Sequence, residues 1–463
     1  MAHSEVTTTI EFGPNRYRTI LRLAMPTVVA MLSQSVVNEI DIIFFSRLPS
    51  PESSNGQAAL LPSLIVVWLF GGSLSALSVG TQALTARRFA ERDLKGAGAV
   101  LTNAAFFCLI AGGIFSVLGY LALPSILGFM LKKQEVLEIA ISYSRWRLLG
   151  IISMAMTMSV KAFFDGVGKT HVHLVAAIVM NAFNVLFCWI FIYGNLGAPR
   201  MGPPGAGMSA FIATWIGLGI MLFYASRIAP DFDSFKRTHL SRTLMWSILR
   251  LSIPAALATV TMMVGFGLFS SIVGILDAAA GAEAVNGAAT TDIVAILKLT
   301  FTACIAFGTA TATLVGQSLG AKRPDDAVAY GWASARLGVM IFGVIGLLEG
   351  VLLTPQIVGF ISQSHAVQLA AMTPMRMMGL ITPIIAVAMI LSEALFGAGE
   401  TAFVALAQLV LVFGCLVPLA YVLGIHFHMG LLGIWTSACV YMVLAAVTMT
   451  LKFRSGSWKS IKL

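Results

Sequence analysis

Charge is what this 463-residue chain has least of: 11% of its residues are Asp, Glu, Lys or Arg, while 58% are hydrophobic. A soluble domain carries about 25% charged residues, so a water-facing surface wrapped around one core is excluded. Cysteines are few and odd in number. Cys108, Cys188, Cys304, Cys415 and Cys439 all lie inside apolar runs, which argues against a disulfide framework. A phosphate-binding loop is missing as well: Gly168-Lys169-Thr170 has the ending of one, but its opening glycine position is Phe163 and no strand precedes it. The pairs His171/His173 and His426/His428 have no third metal ligand nearby, and Asp231-Phe232-Asp233 sits in a short polar turn. The polar connections are too short for a catalytic or nucleotide-binding domain. No enzyme activity, no resident metal and no cofactor are therefore expected.

Long apolar runs are what the chain has instead. A hydrocarbon core of about 30 Å takes roughly 20 helical residues. Runs of that kind lie near 17–46, 57–86, 96–123, 136–165, 171–194 and 204–228, and again near 243–275, 286–316, 326–354, 366–397, 401–424 and 429–452. Twelve spanning helices are expected, six in each half. The first run exceeds a signal-peptide core and is expected to stay as helix one.

The halves also share words. Leu21-Arg22-Leu23-Ala24-Met25-Pro26 returns as Leu249-Arg250-Leu251-Ser252-Ile253-Pro254, each time opening a long apolar stretch. Duplication at half-chain distance is a common build of membrane transporters. The reading is an all-α membrane protein with an N-terminal six-helix bundle (1–228), a cytoplasmic linker (229–242) and a C-terminal six-helix bundle (243–463) ending in a short basic tail. The net charge of +9 is explained by its distribution, not by nucleic acid. With the N-terminus inside, only Arg47, Lys132, Lys133 and Arg200 fall in outer loops. That bias places both termini in the cytoplasm of a plasma (inner) membrane.

Several further motifs stand in order along nearly the whole chain. They are Leu21 to Pro26 leading to Asp41, Ser78-Val79-Gly80-Thr81-Gln82-Ala83-Leu84, and Phe164-Asp165-Gly166-Val167-Gly168-Lys169-Thr170. Asn184 follows with Ile192 to Pro199, then Gly308 to Gly320, and Gly397-Ala398-Gly399-Glu400-Thr401, which repeats the Gly166 to Thr170 turn. In this order they resemble the multidrug and toxin extrusion (MATE) family, particularly its NorM-like branch. The resemblance implies two bundles related by pseudo-two-fold symmetry, a central cleft, and export of organic, mostly cationic or amphipathic drugs in exchange for protons or sodium. The partners implied are drugs or toxins and the bilayer, and a monomer is expected. Two alternatives are a lipid-linked precursor flippase of the same superfamily and, more remotely, a lipid-modifying membrane enzyme. The first needs several cations in its cleft, as when Arg145, Arg147 and Arg376 turn inward together; the second needs clustered acids or a nucleophile with a base.

Ionisable residues at bilayer depth cost roughly 2.5–3.5 kcal/mol and are functional candidates by default. Asp41 matches the family's coupling aspartate and shares a helix face with Asn38 and Gln34. It is assigned as the ion-coupling residue together with Asn184, the two forming the sodium site if sodium is the coupling ion. The competing reading makes Asp41 a buried acid neutralised by Lys161. Asn184 has Cys188 one turn later where the family usually has Asp or Asn, and a thiol is a poor sodium ligand, which tilts the reading towards protons. Family acids of helices seven and ten fall here at Met262 and Ile385, so no second-half cation site carries over. Asn38, Lys161, Asp292 and Glu393 are the cleft candidates, with a structural pairing of Asp292 or Glu393 to Lys298 as the alternative.

Overall fold

The computed structural model describes residues 15–461 except 50, 132, 229, 281–284 and 362–363; the side chains of 36–40, 42, 54, 61, 130, 228 and 278–280 are outside the description. Each apolar run becomes one helical passage. In the first half these are α1 (Arg16–Ser46), α2 (52–90), α3 (Leu94–Met130), α4 (Gln134–Leu149 continued by Ile151–Gly166), α5 (Thr170–Tyr193) and α6 (Pro203–Phe223). The second half gives α7 (Arg242–Ala280), α8 (Val285–Gly320), α9 (324–352), α10 (His365–Ala398), α11 (401–426) and α12 (Gly430–Ser455). Among the described residues ten helices are long and apolar enough to cross a membrane, and α4, bent by 44° at Gly150, adds an eleventh. The remaining passage is α1, 31 residues long. This is an all-helical, multi-span membrane protein.

The repeat is visible in the backbone where the residue types have diverged. After α2 and after α8 the chain turns through a non-glycine left-handed residue, Arg92 at φ 64° and Lys322 at φ 58°. Likewise Gly168 and Gly399 take φ 78° and 90° between α4 and α5 and between α10 and α11. Positive φ costs a side chain about 1–2 kcal/mol, so glycine is the residue that fits there. The same two turns bring helices into contact. A Cβ on Gly166 would stand 3.0 Å from the carbonyl oxygen of Gln82, and one on Gly397 would overlap the carbonyl oxygen of Ala312. The glycine motifs are thus places where backbones touch, α4 on α2 and α10 on α8.

The compact units are offset from the sequence halves. One comprises Pro26–Ala256, and the other Met1–Met25 with Leu257–Leu463. The sequence by itself places the divisions at 228 and 243. Linker and α7 explain the shift: Phe232 is fully buried, stacked against Phe89 and edge-on to Phe163, so the linker is docked rather than free. Leu244, Ile248 and Leu251 continue into the same apolar core as Leu77, Leu84 and Val100. The other unit has its own core, in which Phe269, Ile293, Met375 and Trp435 take part. There the opening turns of α1 are tied to α9 by Arg16 on Asp326 at 3.4 Å.

Candidate functional site

Asp41 lies in the C-terminal half of α1 and is buried. Two donors close on its carboxylate: the Tyr143 hydroxyl reaches Oδ2 at 3.1 Å, and the Cys188 thiol reaches Oδ1 at 3.7 Å. Tyr143 comes from α4 and Cys188 from α5, so three helices meet at one carboxyl. Phe45, one turn beyond Asp41, packs edge-on to the Tyr143 ring at 6.4 Å and fixes where the phenol points. Ser209 of α6 is fully buried and stands beside Cys188. Arg147, one turn after Tyr143 on the same face of α4, is half-buried, and its charge acts on Asp41 without entering hydrogen-bond contact.

Asn184 sits one turn before Cys188 on α5, buried, and makes no side-chain hydrogen bond among the described residues. A turn further on, Asn181 donates to Ser33 of α1 at 3.1 Å. The α1–α5 contact therefore carries polar pairs at Ser33 and at Asp41. The side chain of Asn38 falls outside the described residues. Thr214 of α6 is 2.8 Å from the Ser153 hydroxyl of α4.

Lys161 requires a correction as partner of Asp41. Its ammonium pairs with Asp165 at 2.5 Å, one turn along α4, and both side chains are buried. It also lies about 27 Å along the helix from Tyr143, at 1.5 Å per residue, far beyond the reach of any side chain. The cation that acts on Asp41 is Arg147. Its neighbour Arg145 points elsewhere, exposed and 5.2 Å over the Tyr120 ring, and Arg376 is exposed too. Arg145 and Arg147 thus do not form a joint diphosphate-binding pair.

In the other unit Asp292 of α8 and Glu393 of α10 are half-buried and do not form one cluster. The Glu393 stem lies against Gly308, its Cγ 2.6 Å from where a Cβ would stand. That level is about 24 Å along α8 from Asp292 and about 15 Å from Lys298. A further acid of this unit escaped the sequence reading. Glu349, near the end of α9, accepts a 2.7 Å hydrogen bond from Thr300 of α8 on Oε1, while its Oε2 is buried with no partner. The signal was available as a lone acid in the apolar stretch 337–353.

The residue that the repeat register at Leu21 and Leu249 places opposite Asp41 is Phe269. It is buried and packs edge-on to Trp435 at 5.4 Å. Where one unit holds a carboxyl among donors, the other holds two aromatic rings.

A family model described as MatE matches residues 26–190 and 254–422 of the chain. A Thermotoga maritima protein described as a probable multidrug resistance protein NorM is 24% identical over 459 residues, covering 96% of this chain and 94% of its own length. The multidrug resistance protein PmpM of Pseudomonas aeruginosa is 26% identical over 461 residues, covering 96% and 92%. Among solved structures, an outward-facing multidrug resistance MATE family transporter of the MOP superfamily superposes with a TM-score of 0.85 at 22% identity, over 95% of this chain and 96% of that one. These structures share the fold.

Proposed function

This chain belongs to the MatE family, and from that premise we propose that it is a secondary multidrug exporter of the plasma membrane, with both termini in the cytoplasm, driven by protons through Asp41. The full-length likeness to proteins described as multidrug resistance transporters supports the substrate class: organic compounds, cationic or amphipathic. The observation that carries the coupling reading is the Tyr143 and Cys188 pair of donors on one buried carboxyl.

A sodium ion takes several oxygen ligands and competes poorly for a carboxylate already engaged by two donors and facing an arginine. A proton needs only the carboxyl itself. When Asp41 is ionised, Arg147, Tyr143 and Cys188 all favour the charge; when it binds a proton, each of those attractions weakens and the contact of α1 with α4 and α5 loosens. Drug and proton then compete for two packings of the same helices. Such exchange moves the transport equilibrium only as far as the two packings differ in proton affinity.

Everted membrane vesicles carrying the chain test this directly. A proton gradient alone is expected to drive dye extrusion, and Asp41→Asn is expected to abolish it with normal insertion. Extrusion that follows a sodium gradient and ignores a proton gradient overturns the coupling assignment.

A further inference from the structure

Glu349, the acid in the apolar stretch that ends α9, has a built surrounding. It sits in a wide π-helical turn, Leu348–Leu352, that closes α9. Turns of this type inside long helices occur often at functional sites because they re-aim side chains and free a carbonyl. Here the freed carbonyl of Glu349 accepts the Thr354 hydroxyl at 2.7 Å, so the turn is fixed. On the other side Gly350 and Gly379 bring the backbones of α9 and α10 into contact, and a Cβ on Gly350 would stand 2.8 Å from the Gly379 Cα. The carboxyl is thereby directed at α8, where Thr300 meets Oε1 and Oε2 has no partner.

Among the described residues no basic side chain is placed against it, and Lys298, two residues before Thr300 on α8, is exposed. On α8 the facing titratable group is the Cys304 thiol, fully buried and electrostatically linked to Glu349. α10 presents Gly379 and the backbone of Arg376, whose side chain is exposed. The short helix Thr354–Ile361 carries no titratable side chain, and the basic residue of α9 itself, Arg336, lies more than three turns away. A carboxylate held in apolar surroundings with one hydroxyl donor is costly, and such a group is relieved by taking up a proton.

We propose that Glu349 is a second exchangeable proton site, distinct from Asp41, which is filled and emptied during the transport cycle. The inference rests on the proton-driven reading above for its role in transport, but not for its chemistry. Dicyclohexylcarbodiimide, an apolar reagent that adds to protonated carboxyls in apolar surroundings, is the probe. Purified full-length protein is labelled across a pH series and mapped by peptide mass spectrometry, as wild type and as Asp41→Asn. Labelling of Glu349 is expected in both, falling at least about tenfold from acid to alkaline buffer, and absent in Glu349→Gln. In vesicles Glu349→Gln, which keeps the Thr300 hydrogen bond and the side-chain volume, is expected to lower proton-driven extrusion about tenfold, with Glu349→Asp partly restoring it.

Labelling of Glu349 that is absent, or constant across the whole pH range, overturns the inference even if transport proves proton-driven. If transport proves sodium-driven while Glu349 still labels with pH, the proton site stands and the coupling reading falls. Full extrusion by Glu349→Gln removes the site from the transport cycle and likewise overturns the inference.

Discussion

Tyr143→Phe removes one oxygen atom from the Asp41 site and little else. The ring keeps its edge-on contact with Phe45, so no cavity opens and packing is conserved. What is lost is a 3.1 Å hydrogen bond to a buried carboxyl. A bond to a charged acceptor is worth about 1.5–3 kcal/mol and a neutral one about 0.5–1.5. Side-chain hydrogen bonds between membrane helices run lower, about 0.6 on average and up to about 1.7. A coupling of about 1–2 kcal/mol between Tyr143 and Asp41 is therefore expected. The assay is a double-mutant cycle of Tyr143→Phe and Asp41→Asn, read by denaturant unfolding of purified protein in mixed micelles. Stability is the readout because Asp41→Asn is expected to silence transport and leave no rate to compare. Two losses that add to within about 0.3 kcal/mol would show that the residues do not interact. That result refutes the three-helix site, since Tyr143 is its best-placed donor. Cys188→Ala, which removes a weaker donor at 3.7 Å, is expected to couple less strongly than Tyr143→Phe.

Four further outcomes follow from the structure. Lys161→Met and Asp165→Leu are each expected to destabilise the protein by about 3–5 kcal/mol by stranding a buried charge, and the double variant to regain most of it. Thermal unfolding checks this, and a double variant that is stable but unable to transport would give the pair a role in transport. Gly397→Leu is expected to abolish folded protein, judged by size-exclusion chromatography, because its Cβ would overlap the Ala312 carbonyl. Gly274→Ala, at an exposed helical position with nothing within 4 Å, is expected to be neutral or slightly stabilising, by up to about 1 kcal/mol. Arg147→Gln is expected to slow coupled extrusion by about tenfold or more while leaving yield unchanged, since this half-buried side chain acts on Asp41 by charge, not packing.

The helices were legible because hydrophobic length has one structural solution in a bilayer: every backbone group must bond within its own segment. The predicted ends fall within a few residues of the observed ones at most passages, Thr170–Tyr193 against 171–194 for α5. Unit boundaries were not legible, because α1 and α7 run unbroken through them. No polar break marks a point where only the packing partner changes. Asp41 could be picked out as an acid in an apolar run. Tyr143 and Arg147 could not, since a tyrosine or arginine at a helix end is ordinarily an interfacial anchor. Only the placement of α4 beside α1 turns them toward the carboxyl. The competing reading of Lys161 as the partner of Asp41 fails for the converse reason. Its acid lies four residues ahead in its own helix, a spacing the sequence does contain and which outranks any distant partner.

The repeat finally explains why the acids matter more than their number suggests. In the register of Arg92 over Lys322, the first-half residue opposite Glu349 is Gly119, packed under Leu148 and Phe70. In the register of Leu21 over Leu249, Phe269 stands opposite Asp41. Each acid therefore occupies a place that its own repeat partner fills with apolar contacts, so the fold itself does not require either carboxyl. A residue that the scaffold can do without, and that costs energy where it stands, is retained for something other than folding. Replacing Asp41 and Glu349 by apolar residues of similar volume is accordingly expected to cost no more than about 1–3 kcal/mol each, for the Tyr143 and Thr300 hydroxyls left without their acceptors, and to leave a folded protein unable to couple protons to transport. Denaturant unfolding and vesicle extrusion on the same preparation decide it: loss of folded protein on either replacement would mean that the carboxyls are structural.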